Sequence, residues 1–176
     1  VLVETPDGSA EITVPACGWK TVPLAELAHS EQPDETRRVS TTPHSLENHL
    51  LHAEFNDRGE ITRLFDKQSQ RDFAAGPLNR FCLYKDVPSN WDAWDIESMV
   101  ENLPVEIDEP VTLEVIASSP QRGALLLTRR LHDSILTQVI SLCANSRRVE
   151  FDTTIEWQES HKLLKVCFPF NIHTNE

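Results

Sequence analysis

Arg148-Val149-Glu150-Phe151-Asp152-Thr153-Thr154-Ile155-Glu156-Trp157 is the stretch that decides the fold. Its odd positions are mostly apolar (Val149, Phe151, Ile155, Trp157), and the even ones (Arg148, Glu150, Asp152, Thr154, Glu156) are all polar. A period of two is the mark of an extended strand with one face on a core and the other in water. On either side, Val111–Ala117, Gly123–Leu131, Ile135–Leu142 and Leu163–Phe170 are strand-length runs separated by short turns. His132-Asp133 falls at a hairpin tip, where Asp is a favoured turn residue. Strands at this regular spacing make an antiparallel sheet, hence a β-sandwich.

Further out, Leu50–Phe55 and Glu60–Phe65 flank Asn56-Asp57-Arg58-Gly59, a turn with Gly where a positive φ is most easily met. Asp66–Leu78, with Gly76-Pro77, and the acidic Glu97–Pro110 read as loops. Near the start, Asp7-Gly8 is a turn signal between Val1–Glu4 and a strand over Ala10–Val14, and Gly18–Val22 reads as a further short strand. Ala25–Pro43 is rich in Glu, Ser, Thr and Pro and has no sustained apolar period. The expected organisation is residues 1–28 as the end of a preceding small β-domain, 29–43 as a linker, and 44–176 as the first part of a larger sandwich domain. No stretch reads as a long helix, so the fold class is all-β.

The 176 residues carry 16 basic and 28 acidic side chains, a net charge of −12. Without a block of Lys or Arg to track phosphates, nucleic acid is not an expected partner. No apolar run is long enough to span a membrane, and there is no signal peptide or Asn-x-Ser/Thr sequon. The cysteines, Cys17, Cys82, Cys143 and Cys167, are far apart, and the last three sit in apolar runs where a reduced cysteine behaves as a small hydrophobe. A cytoplasmic setting is expected. The sequence opens in mid-strand without Met and closes on Asn175-Glu176, which reads as a piece of a longer protein.

Self-contained chemistry is scarce. His49 and His52 are three apart, on opposite faces of a strand, so no metal site is expected there. Gly-x-Ser-x-Gly, phosphate-binding glycine loops and His-Glu-x-x-His are absent. The densest candidate is Asn79–Glu97, an apolar run over Phe81–Tyr84 broken at Pro88-Ser89-Asn90 and followed by two tryptophans and two aspartates. In an extended backbone Trp91 and Asp95 share one face, and Asp92 and Trp94 the other. An indole beside a carboxylate suits a sugar: a flat apolar surface for the C–H face of the ring, and an acceptor for its hydroxyls. The competing possibility is that the tryptophans are core residues and the aspartates cap turns. Asp92 and Asp95 as a retaining glycosidase pair would need to stand about 5–5.5 Å apart across the sugar, and strand spacing points them to opposite faces, so the pair fails unless the segment is a loop. No catalytic residue is expected in this chain. Trp19 and Trp157 are assigned to packing.

Three ordered blocks carry a resemblance. The first is Leu46-Glu47-Asn48, Glu54-Phe55-Asn56, Gly59-Glu60-Ile61 and Leu64-Phe65-Asp66-Lys67. The second is Asn79–Ile96, with Trp91-Asp92-Ala93-Trp94-Asp95-Ile96 as its most specific part. The third is Ile155-Glu156-Trp157, Glu159-Ser160-His161-Lys162-Leu163-Leu164-Lys165-Val166 and Phe168-Pro169. Together, over about Leu46–Ile172, they resemble the region after the catalytic domain of glycoside hydrolase family 38, the retaining α-mannosidases, and in particular its cytosolic and bacterial branch. The resemblance implies a supersandwich like that of galactose mutarotase and a parent enzyme that hydrolyses α-mannosidic bonds in oligosaccharides. It further implies a nucleophilic Asp on a Zn²⁺ held by two His and two Asp, all in a preceding α/β domain, and a habit of forming homo-oligomers. None of those catalytic or zinc residues can be placed here.

Under this resemblance Trp91–Asp95 is expected to form a loop at the sandwich edge facing the missing catalytic domain, with Trp91, Asp92, Trp94 and Asp95 as candidate substrate-binding residues that line or brace the sugar cleft. The rival is a purely structural role at the domain interface. A non-catalytic carbohydrate-binding module and an oligomer-assembly domain are two more roles that such a β-sandwich can fill. Glu159-Ser160-His161-Lys162 is expected to form a polar bend leading into the last strand, and not to face the cleft.

Overall fold

The structure, a computed structural model, describes residues 2–5, 8–27, 35–91 and 94–172. Leu2–Thr5 (β1) and Gly8–Glu11 (β2) pair as an antiparallel hairpin, and Leu24–Leu27 (α1) makes a single helical turn. Asp7, part of the expected turn, lies outside the described residues. The strand expected over Gly18–Val22 does not form. The backbone instead turns at Pro15–Gly18, where the Gly18 N–H donates to the Pro15 carbonyl at 3.1 Å. Trp19, assigned to packing from the sequence, is 82% exposed.

Ser40–Thr42 (β3), Ser45–Glu47 (β4), Leu51–Phe55 (β5), Ile61–Asp66 (β6) and Arg71–Asp72 (β7) form a five-stranded antiparallel sheet in chain order. β3 thus lies within the stretch read as linker. Arg80–Lys85 (β8) and Pro104–Val105 (β9) belong to a three-stranded sheet. Val111–Ser118 (β10), Arg122–Leu131 (β11), Ser134–Cys143 (β12) and Val149–Glu156 (β13) form a four-stranded meander, and Lys162–Cys167 (β14) returns to pair with β8. The first two of these sheets are joined. Ile61 and Leu78 exchange backbone hydrogen bonds at 2.9 Å, and Ala75 N–H donates to the Pro169 carbonyl at 2.9 Å.

The core explains the layering. Leu51, Ala53 and Phe55 of β5 are buried while His52 and Glu54 are not, the pattern of a strand with one face on a core. In the meander, Leu125 and Leu127 of β11 and Leu136, Ile140 and Leu142 of β12 face the same cluster as Leu46, Ile61, Leu78, Phe81 and Leu83. Burying such side chains stabilises the fold by about 1.5–3 kcal/mol each. Two amides in this interior are paired: Asn79 donates to Gln138 Oε1 at 2.8 Å, and Gln138 donates to Thr153 Oγ1 at 2.8 Å. The β5–β6 turn closes the two layers. Gly59 has the expected positive φ of 71°, and a Cβ there would lie 2.0 Å from Leu127 Cδ1.

The strand that decides the fold matches its alternating pattern only in its first half. Val149 and Phe151 are half-buried opposite Leu142 and Ile140, and Phe151 meets Phe168 edge to face at 5.6 Å. Ile155 and Trp157 are more than a third exposed, because β13 is an edge strand whose distal end no other described element covers. The packing role expected of Trp157 is correspondingly partial.

Candidate functional site

The second motif block leaves the sheet at the end of β8. Asp86 N–H donates to the His161 carbonyl at 2.8 Å, and Lys85 N–H donates to the Leu103 carbonyl at 2.9 Å. Residues 86–103 therefore form a loop tied at both feet, beside the bend that precedes β14. Within it, Ser89 N–H donates to Glu97 Oε1 at 2.8 Å, a bond that holds the Glu97 carboxyl below its ordinary pKa. At the far end Glu101 pairs with Lys165 of β14 at 2.8 Å, which lowers the carboxyl and raises the amine.

The chain turns between Trp91 and Asp95, as a loop does and an extended strand does not. The Trp91 carbonyl accepts from Trp94 N–H at 2.9 Å and from Asp95 N–H at 3.0 Å. These i+3 and i+4 bonds close a turn between Trp91 and Asp95. Trp91 itself has φ 59°, uncommon for a bulky residue and a conformation that costs free energy. The Pro88-Ser89-Asn90 break resets the chain direction just before it. Asp92 and Ala93 lie outside the described residues.

Core placement of these tryptophans is overturned: Trp91 is 78% and Trp94 93% exposed. Val87, Ile96, Met99 and Leu103 are also more than half exposed, so six of the fifteen large apolar side chains left exposed among the described residues belong to this loop. That density exceeds the scattered single exposures of an ordinary soluble surface.

The bend under the loop is held by Glu159, which in the sequence is only one member of a plain polar turn. Its side chain is 3% exposed. Oε1 accepts from Asp133 N–H at 2.9 Å, Ser134 N–H at 3.1 Å and Ser134 Oγ–H at 2.9 Å, while Oε2 pairs with Lys162 at 2.5 Å. The Lys162 bond, with help from the Ser134 hydroxyl and Asp133 amide, pulls its pKa down to about 2 against the opposing effect of burial. Lys162 is thus committed to Glu159, and His161, at φ 51°, gives its carbonyl to Asp86. Both contacts belong to the bend, as its sequence suggests.

Other residues of the motif blocks are hydrogen-bond hubs as well. Buried Asn48 donates to the Cys143 and Ser146 carbonyls and accepts from Leu50 and Leu51 N–H, all between 2.7 and 2.8 Å. Buried Asp66 accepts from Ser69 N–H at 2.7 Å and from Arg147, which hold its pKa near 2. The Trp91–Asp95 turn is the exception: its indoles are directed into solvent. His52 pairs loosely with Glu54, at 3.7 Å. Among the described residues no group of three or more His, Cys, Asp or Glu side chains is arranged to hold a metal ion, so they do not fit the zinc that the resemblance implies.

Comparison with known proteins decides the family. The model of the glycosyl hydrolases family 38 C-terminal domain matches residues 46–176. The chain belongs to that family. It is 30% identical over 174 residues to human alpha-mannosidase 2C1, covering 95% of this chain and 17% of the human protein. It is 32% identical over 131 residues to alpha-mannosidase G of Dictyostelium discoideum, covering 68% of this chain and 12% of that protein. The chain therefore spans less than a fifth of the length of these relatives. Among solved structures, a glycosyl hydrolase family 38 protein from Enterococcus faecalis aligns with a TM-score of 0.60 at 16% identity, over 75% of this chain and 19% of that one. An alpha-mannosidase from Enterococcus faecalis V583 aligns with a TM-score of 0.56 at 15% identity, over 75% and 18%. The fold expected for a family 38 C-terminal domain is the one found. No helix among the described residues is long and apolar enough to cross a membrane.

Proposed function

We propose that this chain is the accessory β-domain of a retaining, zinc-dependent α-mannosidase of the cytoplasm that cleaves α-mannosidic bonds in oligosaccharides. The loop over residues 86–103 faces the catalytic domain, where Trp91, Asp92, Trp94 and Asp95 line or brace the sugar cleft. The observation that carries this reading is the pair of indoles, 78% and 93% exposed, on a turn braced at both feet. A side chain of that size left in water by its own domain gains from burial against something else. The nucleophile and the zinc ligands are supplied by the catalytic domain, so the isolated chain is inactive.

The exposed aliphatic rim of Val87, Ile96, Met99 and Leu103 favours a second reading, in which the loop is a dry interface between domains and touches no sugar. An exposed aromatic pair is also what a stand-alone carbohydrate-binding module would need, and fold alone does not separate these roles. Hydrolysis of an aryl α-mannoside with added zinc, by this chain and by the full-length protein in parallel, tests the proposal. Activity in the full-length form alone is expected. Turnover by the isolated chain, or none by a folded, zinc-loaded full-length protein, would overturn it.

A further inference from the structure

Two of the four cysteines, far apart in sequence, meet on the sheet that carries the loop. On β8, Phe81 and Leu83 face the core, which puts Arg80, Cys82 and Tyr84 on the opposite face. On β14, Lys165 sits directly across from Cys82 and Cys167 across from Arg80. Cys82 and Cys167 are therefore diagonal neighbours on one face, and their Sγ atoms are 3.6 Å apart. Both are half-buried thiols and neither is in a disulfide. Cys82 first, and then Cys167, raises the pKa of the Arg80 guanidinium on the same face. Burial pushes the Cys167 thiol up, with the Arg80 guanidinium working against it.

We propose that Cys82 and Cys167 are a dithiol–disulfide modification site that responds to low-molecular-weight disulfides. Closing the bond brings the sulfurs from 3.6 Å to about 2.0 Å, a movement open to β14 because it is an edge strand, paired only with β8. The reaction balances as thiol–disulfide exchange. One cysteine, as thiolate, attacks an added disulfide and releases one small thiol. The second cysteine then attacks the mixed disulfide, forming the Cys82–Cys167 bond and releasing the other small thiol. Two protein thiols are oxidised and one small disulfide is reduced to two thiols. Arg80 offers positive charge beside whichever sulfur is ionised, while the raised Cys167 thiol keeps the pair from reacting indiscriminately at neutral pH. The bond fixes β14 to β8 beside Lys165, the residue that pairs with Glu101 where the exposed loop returns to the sheet.

The test is titration of the reduced protein with oxidised glutathione across a range of redox buffers, followed by alkylation and peptide mapping. The expected product is a peptide pair joined through Cys82 and Cys167, lighter by two hydrogen atoms and restored by dithiothreitol. Cys17 and Cys143 should remain alkylatable. In Cys82→Ser or Cys167→Ser the remaining thiol should be trapped as a glutathione adduct. The oxidised wild type should melt higher than the reduced form. Glutathione adducts accumulating on wild-type Cys82 or Cys167 without the cross-link would overturn the proposal. So would four alkylatable thiols at the oxidising end of the range.

Discussion

Replacing Glu159 by Gln removes the charge from the carboxylate that joins the bend before β14 to the β11–β12 turn. The side chain is 3% exposed and accepts four hydrogen bonds, one of them from the Lys162 ammonium. Its pKa falls from 4.5 to about 2 on folding. At roughly 1.4 kcal/mol per factor of ten, that difference is worth about 3 kcal/mol. The sign is that of a depressed carboxyl: the stabilisation is complete above pH 4.5 and is lost as the pH falls towards 2. Gln keeps an acceptor for the Asp133 and Ser134 donors but turns an amide towards Lys162, leaving that ammonium without its counter-ion. A loss of about 3 kcal/mol corresponds to a melting point about 6–12 °C lower for a domain of this size. Thermal denaturation of wild type and Glu159→Gln at neutral pH, repeated down to pH 2, measures both effects. The variant should melt lower at neutral pH and approach the wild type at acid pH. A variant that melts with the wild type at neutral pH would refute the clamp.

Three further outcomes are expected. Asn48→Ala takes a donor from the Cys143 and Ser146 carbonyls and the acceptor from the Leu50 and Leu51 N–H groups, and should cost about 3 kcal/mol, read by urea unfolding. Gly59→Ala forces a Cβ against Leu127 at φ 71° and should cost about 2 kcal/mol, with a fall in denaturation midpoint as the readout. Asp66→Asn should weaken the Arg147 link and remove the part of the acid sensitivity that falls between pH 3.8 and about 2, measured as stability against pH.

Most strands are legible in the sequence because a period of two is a local property. β5 alternates in burial as its sequence alternates in polarity. Alternation cannot say what covers a face, and so the same pattern in β13 leaves Ile155 and Trp157 partly in water. The position of the Trp-Asp loop is legible too, but its backbone is not. Pro88-Ser89-Asn90 signals a break, whereas the i+3 and i+4 bonds to the Trp91 carbonyl follow from a positive φ at a tryptophan, which no propensity anticipates. Glu159 and Asp66 escape notice for a different reason. Their partners, Ser134 and Arg147, are 25 and 81 residues away, and only the folded sheets bring them together. Cys82 and Cys167 read as isolated hydrophobes on the same grounds.

The most direct measurement is the kinetics of the Trp91→Ala/Trp94→Ala double variant in the full-length protein, with melting of the isolated domain in parallel. Both indoles lie outside the domain's own packing, so the domain should melt within about 0.5 kcal/mol of wild type. The account predicts a fall of tenfold or more in kcat/KM for a mannose-containing oligosaccharide, corresponding to about 1.4 kcal/mol or more of lost transition-state stabilisation. Unchanged kcat/KM in a folded, fully assembled variant would contradict it and leave the tryptophans as interface residues alone.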